Sequence, residues 1–131
     1  MIIDLHTHTN RYSMCSLISP EDLILTYIEK KIDGICITEH NILWQEREQD
    51  EIVNKFKSKI KIFFGIEVDT EIGHILLFGS DLKKIDSVIH LKDLLKKIER
   101  KRCALIWAHP FRWESSYPTK HLLNEKFLSN F

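Results

Sequence analysis

The 131-residue sequence contains little glycine, proline or cysteine and has no long apolar run. Only four glycines and three prolines are present, which argues against a low-complexity or linker-rich chain. Three cysteines are too few and odd in number for a disulfide framework. Cys36 and Cys103 each lie in an apolar segment, so both are expected to be buried, reduced thiols. Since no apolar stretch approaches the ~18–20 residues that span a bilayer, no membrane association is expected.

The sequence also lacks an excess of charge of one sign. Nineteen basic residues balance nineteen acidic ones, so no nucleic-acid partner is indicated. The basic run 100–102 reads as the solvated face of a helix. An acidic residue, Asp4, follows the N-terminus almost at once, so we expect no signal peptide and predict a cytoplasmic location. The length fits a single domain spanning residues 1–131.

Short apolar runs alternate with amphipathic segments, a pattern typical of α/β proteins. Such runs predict a mostly parallel sheet covered by helices, for which a β/α barrel is the natural closure. About four βα steps are found, whereas a complete barrel of eight needs ~200 residues or more. We therefore expect an incomplete barrel, open or completed by a partner or a second copy. The predicted strands are 2–5, 35–38, 60–68, 74–79 and 103–108, and the predicted helices are 19–33, 45–57, 91–98 and 119–128.

Residues that bind metals occur at the carboxyl ends of four predicted strands. Parallel strands present these ends to one face of the sheet, so the side chains should converge there. Packing alone gives no reason for four of the seven histidines to occupy such positions. The sequence therefore predicts a metal site at this edge. Its residues are His6 and His8 after the first strand, His40 after the second, Glu67 at the end of the third, and His109 after the last.

Spacing adds further information about these residues. His6 and His8 are separated by one residue, so in extended backbone both rings point the same way and can reach one ion. The Glu67 carboxylate can bridge two cations. Asp4 is interpreted as an outer partner of a ligating histidine. Glu39 is the weaker ligand candidate beside His40, because the two side chains leave the strand on opposite faces.

For other residues near these positions, the sequence allows either a role in the site or a purely structural one. His74 begins a strand and taken alone is a weaker ligand candidate. His90 and His121 are expected to be surface residues or helix caps. Arg112 and Trp113 follow His109 closely and either hold a phosphate group or pack at the rim of the site.

The motifs, in their order, resemble the PHP (polymerase and histidinol phosphatase) domain family. The resemblance extends over nearly all of residues 1–113 and leaves the tail unassigned. Ser13, the segment 19–21 and the segment 73–76 also resemble the first loop, the first helix and a later strand of that family. The motifs are Asp4-Leu5-His6-Thr7-His8-Thr9, Thr38-Glu39-His40-Asn41, Gly65-Ile66-Glu67-Val68 and Ala108-His109-Pro110.

The resemblance implies a distorted seven-stranded β/α barrel with up to three ions, usually zinc, manganese or iron. It implies that His6, His8 and Glu67 hold the first ion. It further implies that Glu67 bridges to a second ion with His109 and His74, and that His40 serves a third. The implied reaction is hydrolysis of a small phosphoester by a metal-bound hydroxide, with Glu67 and His109 at the catalytic centre. Arg112 is the residue that would contact the phosphate, on the first of the two interpretations given above for it.

Two departures from the family pattern lower the expected number of ions to two. Met14 replaces the family's Asp or His after the serine and is a poor ligand for such metals. The family's late Asp-x-His pair is not found before Phe131, which suggests a C-terminally short domain. Two other functions therefore remain open. One is a truncated PHP domain that binds metal as a scaffold or partner-binding module. The other is an amidohydrolase-like enzyme, against which Glu67 counts, because that class often uses a modified lysine there.

Overall fold

The structure is a computed structural model that describes residues 1–110 of the chain. Every strand and helix predicted within that range is present, with boundaries that shift by a few residues. The predicted helix 119–128 lies outside the described residues. The elements are β1 (Ile3–Thr7), α1 (Pro20–Glu29), β2 (Gly34–His40), α2 (Glu46–Phe56), β3 (Lys61–Thr70), β4 (Gly73–Phe78), α3 (Leu91–Lys97), a 3₁₀ turn (Arg100–Arg102) and β5 (Ala104–Trp107).

The strands form one mixed sheet in the order β1-β2-β3-β4-β5. The first three strands are parallel, and β4 runs antiparallel to both β3 and β5. Four strands therefore point in one direction, and β4 alone points the other way. With three helices, this curled sheet forms half of a barrel, which confirms the predicted α/β class and the incomplete barrel.

The reversal at β4 arises from a tight turn. Only Glu71 and Ile72 separate β3 from β4, a length that permits a hairpin and not a parallel crossover. Gly73, with φ of 113°, occupies a backbone conformation that other residues rarely adopt. As a result, the first residues of β4 lie at the same edge of the sheet as the last residues of β3.

The helices cover one face of the sheet. The side chains of α1 and α2 pack with Ile35 and Ile37 of β2, and α3 packs with residues of β3 and β4 such as Ile66 and Ile75. At the start of α1, Ser19 Oγ accepts a hydrogen bond from the Asp22 N–H at 3.1 Å, and Pro20 suits the first turn. Within residues 1–110, no helix is long and apolar enough to cross a bilayer.

The three cysteines are free thiols in different surroundings. Cys36 is buried, as predicted, and burial raises the pKa of its thiol. The prediction of a buried Cys103 is wrong in degree, since this residue lies just before β5 and remains partly accessible. Cys15 is exposed in the loop between β1 and α1.

Candidate metal centre

Glu67 lies at the middle of a cluster of histidines at the carboxyl edge of the sheet. Its side chain is only 1% exposed, and each of its two oxygens faces a different pair of rings. The Nε2 atoms of His6 and His8 lie 3.0 and 2.9 Å from Oε2. His74 Nδ1 and His109 Nε2 lie 2.7 and 3.1 Å from Oε1. His40 Nδ1 is slightly farther, at 3.4 Å from Oε2. The carboxylate thus joins two close pairs of ligand-type nitrogens, with a fifth beside one of them.

The strand arrangement explains how residues far apart in sequence meet here. His40 pairs directly with Glu67 in the β2–β3 register. His74 enters through the hairpin, where it pairs with Asp69. The register of β1 shifts between Asp4 and Thr7, in the segment that holds His6. His109 follows β5 with φ of 32°, a left-handed conformation uncommon for a residue with a side chain.

The donor atoms near Glu67 Oε2 fit a cation. His6 Nε2 and His8 Nε2 are 3.0 Å apart, so the three atoms form a triangle with edges of 2.9–3.0 Å. Ligand atoms that surround an ion at right angles, at about 2.1 Å, are about 3.0 Å apart. Oε2 is also buried and lacks a hydrogen bond of good geometry, although these nitrogens are close. His40, Glu67 and His74 form a second group whose ligand atoms could hold an ion.

Electrostatics keep Glu67 ionised. Burial by itself raises the pKa of this carboxyl, but the polar interactions with the close imidazoles of His6, His74 and His8 together outweigh burial. The net effect holds the pKa of Glu67 well below its usual range. A carboxylate whose charged form is favoured among imidazoles is a suitable anionic ligand for a divalent cation.

Asp69 is a site residue that the sequence analysis missed. Its Oδ1 lies 3.6 Å from His40 Nδ1 and 3.5 Å from His74 Nε2, and its Oδ2 accepts a hydrogen bond from Asn41 Nδ2 at 2.6 Å. The carboxylate raises the pKa of His40, and His40 in turn lowers the pKa of Asp69. Its spacing from Glu67 is the signal that could have revealed it, because alternate residues of a strand share a face.

Asp4 and Glu39, which the sequence placed near the site, both form hydrogen bonds with other residues of the protein. Asp4 Oδ1 accepts the His6 backbone N–H at 3.0 Å, and Oδ2 accepts the Tyr27 hydroxyl at 2.6 Å, so Asp4 positions His6 through its backbone. Glu39 is fully buried and accepts hydrogen bonds from the Thr9 and Trp44 side chains. Glu39 Oε2 lies 4.0 Å from His8 Nδ1, beyond hydrogen-bond distance.

The cluster opens into a cavity of about 530 Å³. Cys15, a second residue that the sequence analysis did not assign to the site, lines this cavity. His90 lies apart from it, at the N-cap of α3 with an exposed side chain, as predicted. Arg112, Trp113 and His121 lie outside the described residues. The cavity is lined by His6, His8, Cys15, His40, Glu67, His74 and His109.

Comparison with known proteins agrees with this geometry. The sequence matches the PHP domain family over residues 4–125, which is almost the whole chain. No curated protein gives a significant match. The matched region contains β2 to β5, all of β1 except its first residue, and all the residues around the cavity. The chain therefore belongs to the PHP domain family.

Proposed function

We propose that this protein is a metal-dependent phosphoesterase that acts on a small phosphoester. The observation that carries the proposal is the position of Glu67, whose two oxygens each have a separate pair of histidine nitrogens as their nearest neighbours, with His40 beside one pair. Such an arrangement suits a carboxylate shared by two cations, the usual layout for phosphoester hydrolysis. Membership of the PHP domain family is consistent with this class of reaction.

A divalent cation bound here would lower the pKa of a water molecule and neutralise charge on phosphoryl oxygens. In the proposed assignment, His6, His8 and Glu67 hold one ion, and Glu67, His74 and His109 hold a second. His40 extends the ligand set toward Asp69. Imidazole and carboxylate donors together suit zinc, manganese or iron.

The substrate is expected to approach through the open cavity. A volume of about 530 Å³ accommodates a small phosphoester beside the histidines. Arg112 follows the ligand His109 by three residues and is proposed to contact the phosphate group. A guanidinium suits this role because it offers paired N–H donors to phosphate oxygens.

The alternative function is a metal-binding scaffold without catalysis. The Met14 side chain is fully exposed, so the first loop supplies no ligand at the position where the family usually has Asp or His. A centre with fewer anionic ligands could bind metal and yet hydrolyse poorly. The same experiment separates the two functions.

The test compares wild type with Glu67→Gln, which keeps the side-chain size and removes the charge. Metal content is measured by elemental analysis, and turnover is measured with bis-para-nitrophenyl phosphate and a panel of monoesters. Wild type should contain about one to two ions per chain. Glu67→Gln should lose metal and reduce turnover by at least about 100-fold, because two cations share this carboxylate.

His90→Ala serves as the matched control, since His90 is exposed and lies outside the cavity. It should retain wild-type metal content and turnover. Equal turnover in Glu67→Gln and wild type would show that the catalytic assignment is wrong. Wild type that binds metal and hydrolyses nothing in the panel would establish the scaffold function, and wild type that takes up no metal would refute both.

A further inference from the structure

Cys15 faces the metal centre, although its neighbour Met14 points into solvent. Both residues are exposed, but Cys15 lines the cavity together with the histidines and Met14 does not. The loop therefore presents its thiol, one residue beyond the family's usual ligand position. This difference makes the first loop a source of a ligand that the sequence pattern did not indicate.

Hydrogen bonds hold the loop in this orientation. Ser13 is buried, and its Oγ lies 3.3 Å from His8 Nδ1 and accepts the His40 backbone N–H at 3.2 Å. Ser16 donates its hydroxyl to the His8 carbonyl oxygen at 3.1 Å, and its N–H bonds to the Ser13 carbonyl oxygen at the same distance. The two serines thus fasten both ends of a short turn to β1 and β2. Cys15 lies inside that turn.

The thiol also lies within reach of two histidines. The ligand atoms of His8, Cys15 and His40 all lie within 4.8 Å of one another. The rings of His8 and His40 are stacked almost in parallel, with centroids 4.6 Å apart and 9° between their planes. Modest side-chain rotations would bring three such atoms to the roughly 3 to 4 Å separations found around a tetrahedral ion.

We propose that His8, Cys15 and His40 form a thiolate-containing metal site that prefers Zn²⁺ over Mn²⁺. A thiolate is a soft ligand that selects zinc, whereas oxygen-rich sites suit manganese. Two imidazoles and one thiolate leave a fourth tetrahedral position open, as in zinc sites that keep a water or a substrate. Metal identity in this protein would then depend on a loop residue as well as on the strand residues.

This inference rests on the metal-binding part of the proposed function and does not require hydrolysis. His8 belongs to the new group and to the group around Glu67 Oε2, but its two ring nitrogens face different directions. Nε2 faces Glu67 at 2.9 Å, and Nδ1 lies on the side of Ser13 at 3.3 Å. The two sites can be filled together if each ion binds a different ring nitrogen of His8. If both ions require the same nitrogen, the two sites compete for His8.

The first experiment titrates the metal-free 131-residue chain with Co²⁺ under reducing conditions. Cobalt bound to a thiolate gives a near-ultraviolet charge-transfer absorption, which imidazole and carboxylate ligands do not give. We expect this absorption in wild type and in Cys103→Ser, and its loss in Cys15→Ser. The loss should be accompanied by Co²⁺ binding to this site that is weaker by at least about tenfold.

Three outcomes would overturn the proposal: a persistent charge-transfer band in Cys15→Ser, no such band in wild type, or its loss in Cys103→Ser. Equilibrium dialysis separates this failure from that of the proposed function. If cobalt binds without the band, the cysteine site is wrong while the metal centre stands. If no cobalt binds at all, the metal-dependent function fails as well.

A second experiment needs no variant and therefore does not depend on how Cys15→Ser folds. Wild type is alkylated with iodoacetamide, and mass spectrometry follows each cysteine separately. Saturating Zn²⁺ should slow alkylation of Cys15 by at least about tenfold, because a bound thiolate is no longer a free nucleophile. Mn²⁺ should protect Cys15 much less. Equal alkylation rates with and without Zn²⁺ would refute the site.

Discussion

Glu39 and Glu67, two buried carboxylates on neighbouring strands, differ in which groups donate hydrogen bonds to them. Glu39 accepts hydrogen bonds from the Thr9 N–H, the Thr9 hydroxyl and the Trp44 indole, so the protein itself supplies its donors. Glu67 is equally inaccessible, but its Oε2 has nearby imidazoles and no hydrogen bond of good geometry. Because buried polar atoms are nearly always satisfied, the arrangement at Glu67 fits a site for a cation and the arrangement at Glu39 does not.

Tyr27 is expected to stabilise the strand that bears His6. Its hydroxyl donates a 2.6 Å hydrogen bond to Asp4, whose other oxygen accepts the His6 N–H. Tyr27→Phe removes a bond to a charged acceptor and should lower the free energy of unfolding by about 2 kcal/mol near pH 7. Urea unfolding of the metal-free proteins measures this difference. An unchanged unfolding free energy would show that water replaces the hydroxyl at no cost.

The stabilisation by the hydrogen bond between Tyr27 and Asp4 also depends on pH, in a direction that the pKa shift of Tyr27 determines. Burial, assisted by the bond to Asp4, raises the pKa of Tyr27 to about 12. The folded state favours the neutral Tyr27 phenol. The contribution of this group to stability is therefore fully present below the pKa of tyrosine in the unfolded chain, which is near 10. The contribution is lost as pH rises through about 12. Ultraviolet titration should show one tyrosine ionisation near pH 12 that Tyr27→Phe lacks.

Much of the centre could be predicted at the residue scale, because strand ends are visible in a sequence. Apolar runs located the ends near His8, His40, Glu67 and His109, and parallel pairing implied that they meet. Asp69 was missed because the third strand was predicted to end at residue 68, while it continues to Thr70. Cys15 could not be found, since its orientation depends on loop hydrogen bonds that leave no periodic pattern.

At the scale of elements, the hairpin between β3 and β4 determines what His74 can do. A histidine that begins a parallel strand lies at the opposite edge from a site at the carboxyl ends. Because the turn at Glu71 and Ile72 is too short for a crossover, β4 runs antiparallel and His74 lies beside Glu67. The turn near Gly73 was recognisable in the sequence. The direction of β4, and therefore the position of His74, can be predicted only by also counting the residues between the two strands.

Gly65 is expected to be necessary for the pairing of β3 with β4. A Cβ at this position would lie 2.6 Å from Phe78 Cδ1 and 2.8 Å from the Leu77 carbonyl oxygen. Gly65→Ala should therefore lower the free energy of unfolding by about 1–3 kcal/mol. Because Glu67 and His74 lie on these two strands, metal affinity should fall as well. Urea unfolding and metal titration measure the two effects.

Gly34→Ala provides the comparison for this prediction. A Cβ at Gly34 would lie 3.1 Å from the Lys61 carbonyl oxygen, a closer fit than usual but less severe than at Gly65. Gly34 is also at the start of β2, far along the strand from His40. We expect a smaller loss of stability and unchanged metal affinity. Equal losses in the two variants would contradict the role assigned to the β3–β4 contact.

At the scale of the whole molecule, the helices described within residues 1–110 cover one face of the sheet, and the opposite face has two parts. The metal centre occupies its carboxyl edge. The remainder is an apolar surface lined by residues of all five strands, and several of its side chains are substantially exposed. Within residues 1–110, β1 and β5 form the two ends of the sheet. In a complete barrel, further strands would cover such a surface and pair with such edges. The residues that line this surface include Leu5, Phe63, Phe78, Ala104 and Ile106.

The elements described within residues 1–110 leave this apolar surface exposed, and exposed apolar surface favours association. We therefore propose that the 131-residue chain forms homo-oligomers or binds a partner that completes the barrel. Light scattering at micromolar concentration should show species larger than a monomer. Phe63 is 45% exposed on this surface, and Phe63→Glu should shift the chain toward monomer because a charge resists burial. Val88→Glu, at a position 63% exposed and outside this surface, should leave association unchanged. A monodisperse wild-type monomer would contradict self-association, and an equal response to both variants would place the interface elsewhere.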